Sequence, residues 1–366
     1  MKTNAVDYEV VSKKPYYELL KNLLLDFLSV QLRLRLFRPL MTNMYVTKRC
    51  NLRCQYCYPP GDESDLSAGL GLSLLQKIRP NCPAINFTGG EPSLHPHLDS
   101  FLKKARQLRF RPVVVSTNAY EIENLTENLP LIDNVIVSLD SMDGSTNDAL
   151  SGVPGVTQVI IANVERLARL RRQFRFNVSI HAVLCPANLD NIEDLVKFCD
   201  SLQITLSVSP QHIGPHPNNE LINNGRYEAA IRKLRLLKRE GWPVASSTSY
   251  LDKLERFAEH RCFPFFSPRI EPDGTVYFPC YCIRETAHNL MDHPNLYSLM
   301  KDKGEWMDKY QDCRRRCFLA CYMEVEQYVG NPLRLLREIP FRTLTLGRKI
   351  TPTDERRQYA VEQEDG

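Results

Sequence analysis

Between residues 41 and 250, short apolar runs alternate with longer segments in which apolar residues return every third or fourth position. The runs Asn43–Val46, Ala84–Thr88, Arg111–Ser116, Asn134–Leu139, Asn177–Leu184 and Thr205–Val208 predict strands. The segments Leu72–Ile78, Leu98–Leu108, Ile122–Asn128, Val156–Gln173, Asn191–Leu202 and Arg226–Glu240 predict helices. Alternation of this kind implies parallel strands joined by crossover helices, and six repeats predict an α/β fold, a partial (β/α)₆ barrel of the TIM type. In such barrels chemistry is built from loops at the C-terminal ends of the strands.

The flanks follow other patterns. Within residues 15–40, Leu19, Leu20, Leu23, Leu24, Phe27, Leu28, Leu32 and Phe37 recur at helical spacing among Lys21, Asp26, Gln31, Arg33 and Arg35, and Pro39 should end the helix. It is expected to pack on the barrel; a membrane surface is the alternative for its basic amphipathic face. From about residue 255, cysteines and short strand-like runs predict a small C-terminal cysteine-rich α+β domain. Asn331 to Ile350 mixes leucines and arginines around Pro332 and Pro340, which forbid one long helix. The expected organisation is an amphipathic helix (1–40), the barrel (41–250), the cysteine-rich domain (255–330) and a basic strap and tail (331–366).

Composition narrows the class. At 366 residues the chain exceeds one typical domain, and 43% hydrophobic with 25% charged residues is that of a soluble globular protein. A net charge of +4 is too small to predict a nucleic-acid partner. No apolar run approaches the ~20 residues of a membrane span. Twelve cysteines without a charged-then-apolar leader predict metal binding in the cytoplasm rather than a disulfide framework.

Three cysteines, Cys50, Cys54 and Cys57, stand at a three-then-two spacing directly after the strand-like Met44-Tyr45-Val46-Thr47. Thiolates crowded into one loop suit an iron–sulfur cluster, and three ligands for four irons leave one iron open to an external molecule. A zinc site, which needs four closed ligands, and three unrelated thiols are the alternatives. CxxxCxxC with Tyr56 before its last cysteine resembles the signature of the radical S-adenosylmethionine (SAM) enzymes. That resemblance implies catalytic Cys50, Cys54 and Cys57 holding a [4Fe–4S] cluster whose open iron chelates SAM. It further implies a reducing donor such as flavodoxin or ferredoxin, and a 5′-deoxyadenosyl radical that takes hydrogen from substrate.

About 35 residues on, at the next strand end, comes Phe87-Thr88-Gly89-Gly90-Glu91-Pro92. Two glycines there allow close backbone approach to a ligand, and a carboxylate beside them can accept from an ammonium. The stretch matches the family's GGE motif, which implies Gly89, Gly90 and Glu91 at the SAM amino group. The resemblance also implies Tyr56, Asn118 and Ser138 as cofactor-binding; by residue type alone Ser116-Thr117-Asn118, Ser138 and Asp140 are equally turn and cap chemistry. His181 reads as a hydrogen-bonded interior residue, Cys82, Cys185 and Cys199 as core thiols, and the Pro/Asn-rich Pro210 to Asn224 as a loop lining the substrate entrance.

In the C-terminal region Cys262 precedes two strand-like runs joined by Asp273-Gly274, a predicted hairpin that ends at Cys280, with Cys282 beyond it. Cys313, Cys317 and Cys321 follow four apart, one stripe if helical. A zinc knuckle is one account. The arrangement also resembles the SPASM/twitch extensions of radical SAM enzymes, although five residues separate Gly274 from Cys280 where the family has four, and the terminal array is CxxxCxxxC. Six candidate ligands imply one fully ligated auxiliary [4Fe–4S] cluster serving as an electron relay. The expected function is hydrogen abstraction from a peptide or small biosynthetic intermediate. Modification of a lipid or isoprenoid at a membrane surface, or a non-catalytic zinc or iron–sulfur binding protein, are the alternatives.

Overall fold

Six of the apolar runs become six parallel strands: β1 (Met41–Thr47), β2 (Ala84–Gly89), β3 (Val113–Thr117), β4 (Asn134–Ser138), β5 (Asn177–Leu184) and β6 (Thr205–Pro210). Each pairs in parallel with the next. The computed structural model describes residues 38–57, 64–260, 262–278, 280–301 and 317–330, together with Lys21, Leu24, Leu25, Phe27 and Leu28 of a helical stretch. Most of the expected 1–40 helix, Cys313 and the 331–366 strap lie outside the described residues. Among those described, no helix is long and apolar enough to cross a membrane.

Alternation along the strands produces two unlike faces. On β5, Val178, Ile180, Ala182 and Leu184 are buried, while Asn177, Ser179, His181 and Val183 are half-buried. The buried face packs under helices α1 (Ala68–Ile78), α2 (Leu98–Gln107), α3 (Gly144–Ser151), α4 (Val156–Phe174), α5 (Ile192–Ser201), α6 (Gly225–Arg239) and α7 (Thr248–Glu255). Their apolar stripes supply the core; α2 contributes Leu98, Phe101, Leu102 and Ala105. The other face is polar. Asn86 Nδ2 donates to Asn43 Oδ1 (3.0 Å), Ser116 Oγ to Asn86 Oδ1 (3.1 Å) and Asn43 Nδ2 to Ser267 Oγ (2.9 Å), a hydrogen-bonded line across neighbouring strands.

The cysteine-rich region continues the same sheet. Strand β7 (Arg269–Ile270) lies parallel to the free edge of β1, pairing Asn43 with Arg269 and Met44 with Ile270. The expected hairpin follows, turning at Gly274 (φ 86°) into β8 (Thr275–Phe278), and β9 (Thr286–Asn289) adds one more antiparallel strand. The order is β9-β8-β7-β1-β2-β3-β4-β5-β6. Helix α8 (Ala320–Gly330) starts after Cys317, so the described part of the cysteine array does not run along one helical stripe. The Phe318 N–H donates to His212 Nε2 (2.9 Å) and its carbonyl accepts from the Tyr250 hydroxyl (2.8 Å), which removes both groups from any helical ladder.

Candidate active site at the barrel mouth

Cys50, Cys54 and Cys57 occupy the loop after β1, at the C-terminal mouth of the barrel. Three elements hold its backbone. From one side Lys48 N–H donates to Ser64 O (3.0 Å), and the Arg49 guanidinium pairs with Asp65. From below, Gly90 N–H donates to Thr47 O (2.8 Å) and Glu91 N–H to Arg49 O (2.7 Å). On the far side, Arg53 and Gln55 N–H donate to Ser151 O and Leu150 O at 2.9 and 3.0 Å, using carbonyls that the end of α3 leaves without intrahelical partners.

The glycines of the Gly89-Gly90-Glu91 motif serve this contact. A Cβ on Gly89, whose φ is 146°, would lie 2.1 Å from Thr47 O, and one on Gly90 2.1 Å from Arg49 O. The close approach expected for a ligand is thus made to the cysteine loop's own backbone. Glu91 is fully buried and accepts from Ser93 N–H (3.0 Å), Thr117 Oγ1 (2.7 Å) and Asn118 N–H (2.6 Å). Burial raises its pKa and those three donors oppose the rise.

Asn118 reaches the cysteines directly: its Nδ2 lies 3.7 Å from Cys50 Sγ and 2.8 Å from Asn51 Oδ1. Tyr56 donates its hydroxyl to the buried carboxylate of Asp140, which also accepts from Val183 N–H (2.8 Å). Burial lifts Asp140 to about 6. Ser138 ends β4, exposed, one step from this network and with no bond to it. Asp140 ties the cysteine loop to β5 and was legible only as a strand-end polar residue.

The thiols fit a soft-metal cluster by donor type. Cys50 and Cys57 are exposed and Cys54 half-buried. Burial, then the negative charge of Asp140 and the neighbouring thiols, pushes Cys54 up to about 12, so its thiolate needs a cation beside it. Among the described residues no three His, Cys, Asp or Glu side chains are grouped around a single-ion site.

The second group is arranged differently. Cys280 and Cys317 are buried, Cys262 and Cys282 half-buried and Cys321 exposed, with contacts running Cys280 to Cys282 to Cys317 to Cys262. The contact with Cys282, and then burial, raises the Cys280 pKa. Between the two groups stands Arg269. Its guanidinium lies 3.5 Å from the Tyr45 ring centre and 3.4 Å from that of Tyr281, bonds Glu271 through Nε (2.5 Å), and acts electrostatically on both Cys57 and Cys321. Nothing in the sequence around Arg269 marks it, because its position depends on the β7–β1 pairing.

Residues 44–199 match the family model of the Radical SAM superfamily, and residues 208–336 match a domain of unknown function (DUF3463). Pre-heme d1 synthase of Dinoroseobacter shibae is 32% identical over 163 residues, 42% of this chain and 39% of that one. GTP 3′,8-cyclase of Mycobacterium marinum is 33% identical over 168 residues, 42% of this chain and 45% of that one. The chain therefore spans less than half the length of these curated relatives. Among solved structures, Streptococcus suis SuiB bound to S-adenosylmethionine superposes with a TM-score of 0.61 at 19% identity, over 81% of this chain and 73% of that one. SuiB bound to precursor peptide SuiA gives 0.59 at 18%, over 85% and 74%. Thiol spacing, barrel and family model agree on residues 44–199, and that part of the chain belongs to the radical SAM superfamily.

Proposed function

We propose that this chain is a radical SAM enzyme that abstracts hydrogen from a polar substrate, a peptide or small biosynthetic intermediate. The observation that carries the reading is a three-thiol loop at a barrel mouth, fixed on three sides by backbone hydrogen bonds and leaving Cys50 and Cys57 exposed. When bound, the [4Fe–4S] cluster and SAM supply one-electron cleavage of the sulfonium and the 5′-deoxyadenosyl radical. The chain's residues position that chemistry. Cys50, Cys54 and Cys57 would hold the cluster; Gly89, Gly90 and Glu91, which fix the cysteine loop, would lie at the SAM amino group; Asn118 and Ser138 would flank it; and Tyr56, oriented by Asp140, would shape the loop's exit.

The polar face of the sheet favours a polar substrate: Ser207 and Ser209 hydroxyls bracket His181 at 2.9 and 3.0 Å, beside the Asn43–Asn86–Ser116 line. Likeness to SuiB, solved with a precursor peptide, supports a peptide in particular. The second thiol group would hold an auxiliary [4Fe–4S] cluster in the SPASM-like region and carry an electron away from substrate, with flavodoxin or ferredoxin as the external reductant. Anaerobic reconstitution with iron, sulfide, dithionite and SAM tests the reading, and 5′-deoxyadenosine release is the expected result. An iron-loaded protein that binds SAM and releases none is instead a non-catalytic binding protein.

A lipid substrate is the second reading. Leu24, Leu25 and Leu28 stand exposed on the described part of the N-terminal helix. Flotation with anionic vesicles is expected if that face meets a membrane; protein remaining at the bottom of the gradient removes the reading's support.

A further inference from the structure

We infer that Arg269 is an anion-binding fork that seats a carboxylate or phosphate group of the substrate at the junction between the two thiol groups. The inference deepens the enzymatic reading above and rests on it for the word substrate.

The guanidinium is immobilised without being used up. Tyr45 and Tyr281 cover its two faces at 3.5 and 3.4 Å, and Glu271 takes Nε. Among the described residues Nη1 and Nη2 have no hydrogen-bond partner. Arginines that serve only structure here spend those atoms internally. Arg106 gives Nε to Leu131 O (2.8 Å) and Nη1 to Asp133 (2.8 Å), and Arg171 gives Nη1 to Gln203 O and Nη2 to Gln203 Oε1. Arg269 keeps the two-donor edge that matches a carboxylate or phosphate bidentately.

Its neighbours strengthen the case for an anion. Arg284 stacks on Tyr281 at 3.8 Å, and since Arg269 occupies one face of that ring, Arg284 takes the other. Two cations thus flank one ring, against the single carboxylate of Glu271 bonded to Arg269. Only a small cavity, lined by Phe265, Arg269, Tyr277, Cys280, Tyr281 and Tyr322, lies beside the guanidinium, so the anion must sit at its rim rather than inside it. Arg269 also acts electrostatically on Cys57 of the first group and Cys321 of the second, both exposed. An anion held on the free edge therefore lies where the two sites meet. Pre-stacking of the guanidinium lowers the entropy lost when the anion binds.

Inorganic phosphate and N-acetylglycinate, titrated calorimetrically at low salt into the anaerobically reconstituted protein, test the assignment with wild type, R269K and R269Q. Millimolar binding to wild type is expected, weakened roughly tenfold or more in both variants, because lysine keeps the charge and loses the fork. Tighter N-acetylglycinate points to a peptide or other carboxylate; tighter phosphate points to a phosphorylated intermediate. Equal binding in all three proteins, or binding of neither anion to wild type, overturns the assignment. Because either substitution disturbs the Tyr45–Tyr281 stack, wild-type crystals soaked in selenate give a variant-free check. An anomalous peak against Nη1 and Nη2 supports the site, and its absence there overturns it. Wild type that binds these anions at Arg269 yet releases no 5′-deoxyadenosine refutes the enzymatic reading and not the anion site.

Discussion

The two groups of thiols are built by opposite means. At the barrel mouth, hydrogen bonds fix the backbone of residues 48–55 and leave the cysteine side chains toward solvent. In the C-terminal region the thiols touch one another, and Cys280 and Cys317 are buried. The first is a rigid frame with an open face, suited to a cluster that must admit a ligand. The second is a set of thiols in mutual contact around buried Cys280 and Cys317, with Cys321 at its exposed rim. The way the thiols are held, more than the number of cysteines, separates the two groups.

Substitutions can break that contrast. The largest effect is expected from Cys54→Ala, which should abolish 5′-deoxyadenosine release and remove about four irons per chain in an iron assay; retention of both would end the assignment of the first group. Joint replacement of Cys280 and Cys317 by alanine should lower iron similarly while SAM cleavage continues and product formation stops. Loss of cleavage as well would show that the groups are not separable. Gly90→Ala forces a Cβ to within 2.1 Å of Arg49 O. It should cost about 2–4 kcal/mol in urea unfolding and empty the first site before the second, read by the iron content of each cysteine variant.

Acid should destabilise the barrel through His181. Burial lowers His181 to about 4, so the folded chain keeps it neutral while the unfolded chain protonates near pH 6.5. Between those values the unfolded state binds more protons, so this contribution is complete above pH 6.5 and is lost as pH falls toward 4. The loss should be about 1–3 kcal/mol in denaturant titrations and should flatten in His181→Asn. The smallest effect, about 1 kcal/mol, is expected for Asp140→Asn, where the Tyr56 hydroxyl exchanges a carboxylate acceptor for an amide; thermal melts of the apo protein measure it.

Much of the barrel was legible because its strands and helices have different periods, and β2 through β6 appear where alternating apolar runs place them. Helix α3 was not, since Gly144–Ser151 carries only Ala149 and Leu150 as apolar residues. Its Asp143 N-cap and left-handed Gly152 were the available signals. The glycines of the Gly89-Gly90-Glu91 motif were found by spacing, but their packing against Thr47 and Arg49 is a tertiary contact that no local pattern encodes. The same holds for Phe318, beside Cys317, whose N–H and carbonyl bond His212 and Tyr250, residues far away in the chain.

Strand β1 launches the first thiol loop and on its other edge carries β7, which leads into the second. With a cluster in each thiol group, one ladder would act as a ruler between them, with a pitch of about 4.8 Å per strand. Tunnelling rates depend steeply on distance. A gap set by a shared ladder would stay constant, where a linker would let it wander.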